Sequence, residues 1–383
     1  MTGHEGFSRR TALAAGATML LGGVAGCSAR EGDGAVATSP PTDPATTSIL
    51  ATSPPTTGSP TSTTVEATVT EGYVPVAGEW STVTAADAGY SEAGLAAVVE
   101  LVGTSNSDAL VILAEGRIVA EQYWREATAT TVRDVASVQK SIVSTLVGLA
   151  RSRGLLVLDD PVSEFLGDGW SNASVVDERI IRLHHLLTMT SGLDPRTLRT
   201  AAQPGIVWDY NTDAYQKLRQ VLEVVAGTDI NSLTLDWLFR TIGITTESPW
   251  RSRARAVDAT GDELWGLRLT ARDMARFGLL AMRNGHWAGE QITEPGWFAE
   301  AWTPIPLNAN YGYLWWLLGG SGRTGGQGPA DLVAALGAQD QKIYVAPSIG
   351  LVLVRQGDAA AQVTEAGSDF DAALVSALMR ARE

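Results

Sequence analysis

The sequence contains one cysteine, Cys27, and only three lysines, Lys140, Lys217 and Lys342. A lone cysteine excludes an internal disulfide and any cysteine-based metal cluster. Positive charge is also scarce overall: the 383 residues carry a formal net charge of -14, so the chain offers nucleic acid no basic surface to replace its counterions. The most apolar N-terminal stretch, residues 11–25, is too short and too rich in alanine and glycine to span a bilayer stably. No phosphate-binding loop and no metal-ligand spacing occurs, so no cofactor and no metal is expected. What is present is an ordinary apolar fraction of 45%, enough to bury the core of about one large domain.

The N-terminus reads as a processing segment. The stretch SRRTAL, with Arg9 and Arg10, resembles a twin-arginine export signal, and VAGC resembles the lipobox of bacterial lipoproteins, at which the chain is cleaved and the new N-terminal cysteine acylated. Residues 1–26 are therefore expected to be an export signal and Cys27 a lipidation site. Residues 27–77 turn to Thr, Ser and Pro, with ATSPPT at Ala37 and again at Ala51, a composition that cannot repay ordering entropy. They are expected to form a disordered tether holding a domain of residues 78–383 at the outer face of the cytoplasmic membrane. An acidic chain does not cling to anionic lipid, so the lipid anchor is the only membrane contact expected.

Residues 78–383 alternate strand-like and helix-like patterns. DALVILAEGRIVAEQYW reads as two strands around a tight turn at Glu115-Gly116. IIRLHHLLTMTSGL and DAYQKLRQVLEVVAG have helical spacing, and LTARDMARFGLLAMRNG is an amphipathic helix with Thr270 as N-cap and Gly285 as stop. QKIYVAPS and GLVLVRQ are strands, followed by a closing helix in DFDAALVSALMRAR. Strands at both ends with helices between predict an α/β (α+β) fold: an antiparallel sheet joined from both termini, flanked by helices, with a helical insertion.

The chemistry is concentrated in ASVQKSIVSTLVGLA. On a helix Ser137 and Lys140 stand at i and i+3 and share a face. The residues that follow are apolar almost all round, which predicts burial; a buried lysine has its charged form disfavoured and can then take a proton from a neighbouring hydroxyl. A serine at a helix start also lies beside free backbone N–H groups suited to an oxyanion.

Ser137-Val-Gln-Lys140 resembles the nucleophile motif of the penicillin-recognising serine hydrolases, the superfamily of serine β-lactamases and penicillin-binding proteins. GLLVLDDPVSEFL, IRLHHLLTMTSGL, PGIVWDYNTDAY, LTARDMARFGLLAMRNGHW and YGYLWWL follow in the order seen in its class C β-lactamase-like branch, especially the esterase and 6-aminohexanoate-dimer-hydrolase-like members. The resemblance implies that Ser137 is the acylated nucleophile, Lys140 its activating partner and Tyr210 the phenol that shuttles a proton to the leaving group. Where the family's Tyr-x-Asn ends in asparagine this chain has Thr212, so the substrate-orienting amide is missing or replaced by Asn211. The family's Lys-Thr-Gly strand element falls on Gly337-Ala338-Gln339, with no cation. The N–H groups of Ser137 and Gln339 are implied as the oxyanion hole.

Other candidates are weaker. His184 and His185 read as capped or packed histidines, Trp315 and Trp316 as core or cleft wall, and Arg268 as an exposed ion pair at the helix approach, the commoner explanation for such an arginine, or else as a cation reaching the site from another direction. The expectation is an exported serine hydrolase of small esters or amides. The alternatives are a DD-peptidase or β-lactamase acting on cell-wall peptides or β-lactams, and a non-catalytic cell-wall peptide binding module.

Overall fold

A computed structural model of the chain describes residues 72–75, 79–360 and 369–382. The expected export signal, Cys27 and nearly all of the tether lie outside these residues. Among the described residues no helix is long and apolar enough to cross a membrane.

The fold begins with α1 (Glu92–Gly103), whose N-cap Ser91 accepts a hydrogen bond from the Gly94 N–H. Next come β1 (Ser107–Ala114) and β2 (Arg117–Tyr123). They form the expected hairpin, with Glu115 and Gly116 both left-handed at the turn (φ 49° and 84°), the geometry that matches strand twist. The short β3 (Arg133–Asp134) leads into a single 3-10 turn at Ala136–Val138 and then α2 (Gln139–Ser152). Ser137 therefore stands in the turn just before the α-helix, while Lys140 lies in its first turn. Every α2 residue from Gln139 to Ala150 is buried, as its unbroken apolar character predicts.

The helical insertion follows as α3 (Val162–Leu166), α4 (Val175–Glu178), α5 (Leu183–Leu187), α6 (Thr212–Ala226) and α7 (Ile230–Thr234). The helical spacing of IIRLHHLLTMTSGL yields only the five residues of α5, because Met189 turns left-handed (φ 58°) and ends it. The hairpin β4 (Trp250–Val257) and β5 (Glu263–Leu269) returns toward β3. Then α8 (Ala271–Met282) starts on a capping box between Thr270 and Asp273, as its sequence predicts. After β6 (His286–Trp287), β7 (Glu290–Gln291) and α9 (Trp297–Ala301) the chain re-enters the main sheet. It does so through β8 (Trp316–Leu317), β9 (Val333–Gly337), β10 (Gln341–Ala346) and β11 (Leu351–Gly357), and closes with α10 (Asp369–Ala381).

The main sheet is antiparallel with strand order β2-β1-β11-β10-β9-β8, so N- and C-terminal strands meet at β1 and β11. Burial of all eight β1 residues follows from cover on both faces. Val111, Leu113, Ile343 and Val354 point toward α2 and α8; their neighbours Leu110, Ile112, Tyr344 and Leu353 point toward α1 and α10. Gly278 lets α8 approach closely: a Cβ there would come within 2.6 Å of Val352 Cγ1 and 2.9 Å of Ile343 Cγ2. Gly278→Val should therefore cost about 1–3 kcal/mol of stability through overpacking. An unchanged urea midpoint would show that α8 can move off the sheet freely.

Candidate active site

Four pieces of chain converge on Ser137: its own turn, the first turn of α2, the start of α6 and the tip between β9 and β10. Lys140 Nζ donates to Ser137 Oγ at 3.0 Å and to Thr212 Oγ1 at 3.3 Å. The ammonium also lies over two ring faces, 4.8 Å from the Tyr210 centroid and 4.6 Å from that of Tyr215. Lys140 is 2% exposed, and no carboxylate forms an ion pair with it among the described residues. Burial is the largest influence and pulls its pKa below the ordinary lysine range; Arg253 adds to that, while Tyr210 and Asp213 oppose it. The arrangement suits a lysine that surrenders its proton and then accepts one from a hydroxyl.

The turn carrying Ser137 is held from both sides. Ala136 is left-handed (φ 49°), an uncommon state for a residue with a Cβ, and its N–H is held by Asp134 Oδ1 at 2.8 Å. Arg253 Nη2 binds the same oxygen at 2.8 Å, lying across Gly266, where a Cβ would stand 2.9 Å from Arg253 Nε. Gln139, inside the Ser-x-x-Lys motif, ties α2 to β5: it donates to the Trp265 carbonyl at 3.2 Å and accepts from the Leu267 N–H at 2.9 Å.

On the other side Gly337 ends β9 against this turn. A Cβ at Gly337 would meet the Val135 carbonyl oxygen at 2.4 Å and the Ser137 nitrogen at 3.1 Å, so glycine is what allows the strand to lie so close. Ala338 and Gln339 form an exposed tip in which Gln339 is left-handed (φ 62°). Its carbonyl is held inward by Arg355 Nη1 at 2.8 Å; Arg355 spans the sheet by also binding Ser107 Oγ at 2.8 Å. No sequence signal marked Arg355, Asp134 or Gln139 as supports of the site, because their partners are distant in sequence or are backbone atoms.

Asn211 departs from its expected role. Its side chain is buried as the N-cap of α6, accepting from the Ala214 N–H at 2.8 Å and donating to the Leu193 carbonyl at 3.0 Å. Its carboxamide is thus committed to the protein and is not the substitute substrate-orienting amide. Thr212, next in the chain, instead faces Lys140. Tyr210 stacks on Trp316 with ring centroids 6.0 Å apart, and buried Tyr311 meets Trp316 edge-on at 5.0 Å. Trp315 turns the other way, into the core against Phe277. Arg323, unmarked in the sequence, lies 4.4 Å over the Trp316 ring. His185 accepts the Arg182 N–H through Nδ1 as a helix cap, and burial pulls it down to about 4.

A serine in a helix-leading turn, a buried lysine three residues on and an antiparallel sheet edge beside them define the class of β-lactamase- and penicillin-binding-protein-like serine hydrolases. Residues 95–372 match the family model Beta-lactamase, and the chain belongs to that family. An uncharacterized protein of Alkalihalophilus pseudofirmus is 25% identical over 292 residues, covering 67% of this chain and 84% of its own. A candidate beta-lactamase from Bacteroides dorei superposes with a TM-score of 0.63 at 19% identity, covering 76% of this chain and 99% of its own. A candidate 6-aminohexanoate-dimer hydrolase from Bacillus anthracis gives 0.60 at 17% identity, covering 81% and 88%. At these identities the two structures speak for the fold.

The lowered Lys140 pKa carries a sign. The neutral amine grows as pH rises through a value below the ordinary lysine figure of about 10.4. Fluorophosphonate labelling of Ser137 should therefore accelerate with pH to a plateau, and Lys140→Arg should remove the plateau. A rate still climbing as steeply above pH 11 as below it would contradict a depressed lysine.

Proposed function

We propose that this chain is an exported serine hydrolase, lipid-anchored through Cys27 and set off the membrane by residues 27–77. It would cleave small ester or amide substrates through an acyl-enzyme on Ser137, in the manner of the esterase and 6-aminohexanoate-dimer-hydrolase-like branch. The observation that carries the catalytic reading is the 3.0 Å contact between Ser137 Oγ and a buried Lys140 with no carboxylate partner among the described residues. Neutral Lys140 takes the hydroxyl proton as Oγ forms a bond to the substrate carbonyl carbon. The oxyanion that results faces the Ser137 N–H and the Gln339 tip. Collapse of the tetrahedral species breaks the bond to the leaving group, which regains the proton from Lys140 through Tyr210. Water then adds to the acyl-serine, giving up a proton to the same lysine, and the second collapse releases the acid and restores the Ser137 hydroxyl.

The Gly337-Ala338-Gln339 element bears no cation. It therefore lacks a charge-assisted hydrogen bond to a carboxylate at that point, a contribution of about 1.5–3 kcal/mol. That disfavours the DD-peptidase and β-lactamase readings at this position of the site.

The test is intact mass after exposure of the wild-type chain, Ser137→Ala and Lys140→Ala to a fluorophosphonate. A single adduct on the wild type that both substitutions abolish is the expected result. A folded wild type that forms none would favour the binding-module reading instead.

A further inference from the structure

A groove of about 770 Å³ beside the Ser137 turn is lined by Ala136, Ala338 and Gln339 and by Arg251, Arg253 and Arg268 of the β4–β5 hairpin. Two of its arginines are occupied: Arg253 by Asp134 and Arg133, at the rim, by Asp108 and Asp358. The other two are not. Arg251 and Arg268 are exposed, and neither forms an ion pair among the described residues; Arg268 has only a 3.4 Å bond to the Val132 carbonyl. Both also line a smaller adjoining cavity of about 290 Å³ with Glu247, whose carboxylate makes no salt bridge to either. In a chain of net charge -14, two guanidiniums that line one groove beside the nucleophile turn without a carboxylate partner among the described residues leave a local positive charge open to an anion.

Their position fits a substrate arm. Arg268 pairs in register with Asp134, three residues before Ser137, so a group bound there lies within about 10 Å of the nucleophile turn. We propose that Arg251 and Arg268 form an anion subsite that selects esters or amides bearing a carboxylate at the end of a short arm. This rests on Ser137 being the reacting residue, but the groove itself can be tested without turnover.

The probes are mono-4-nitrophenyl glutarate against 4-nitrophenyl pentanoate, for a carboxylate on the acyl arm, and 3-acetoxybenzoate against phenyl acetate, for one on the leaving group. Affinities are read by calorimetry with the full chain carrying Ser137→Ala, so that no ester is consumed. A preference of about tenfold for the carboxylate in at least one pair is expected at low salt, shrinking at high ionic strength. Adding Arg251→Gln and Arg268→Gln should abolish it, while Arg251→Lys and Arg268→Lys should keep part of it. Absence of a preference in both pairs, or one that survives the glutamine substitutions, overturns the subsite. Failure of Ser137 labelling would instead bring down the hydrolase reading alone.

Discussion

The site depends on where one ammonium is put. The chain has three lysines and all are buried, yet their surroundings differ in kind. Lys217 is held by Asp258 at 2.7 Å and Asp262 at 2.6 Å, and Lys342 by Asp340 at 2.8 Å and Asp371 at 2.5 Å. A buried charge so matched serves as a tie between elements. Lys140 meets two hydroxyls and two aromatic faces. Hydroxyls and rings accept an ammonium but do not neutralise it, so desolvation outweighs the opposing pull of Tyr210 and Asp213 and the neutral amine becomes accessible. The arginines that dominate the remaining positive charge cannot serve in this way, because a guanidinium does not release its proton in the working range.

Keeping Lys140 dry and aligned constrains much of the fold. The helix that carries it is enclosed on all sides, and Gln139 fixes its start to the backbone of β5. Thr212 reaches Lys140 only because Asn211 caps α6 and so sets where that helix begins. The Ser137 turn in turn needs Asp134 to hold a left-handed Ala136, and Gly337 to let the sheet edge lie against it. Each support is a backbone hydrogen bond or a close approach, the kind of restraint that holds a side chain to a small range of positions.

The features read correctly from sequence are local ones. The Glu115-Gly116 turn, the Thr270 cap and the Ser137-Lys140 spacing are each decided within a few residues, and the meeting of terminal strands follows from the order of elements. Asn211 was misread because a carboxamide next to Tyr210 suits either a substrate or a helix cap, and only the position of Leu193 settles which. Arg355 was invisible for another reason. Its role exists through Gln339 and Ser107, 16 and 248 residues away, which no periodicity records.

The electrostatics of the two halves of the site are linked. Burial does most to depress Lys140 and the Arg253 charge adds to it, while the same guanidinium holds Asp134, whose Oδ1 accepts the Ala136 N–H and so fixes the turn that carries Ser137. One residue therefore bears on both members of the pair: removing Arg253 would loosen the nucleophile turn and relieve part of what disfavours the ammonium at Lys140. The serine and its base are tuned through a shared support, so neither can be adjusted without the other.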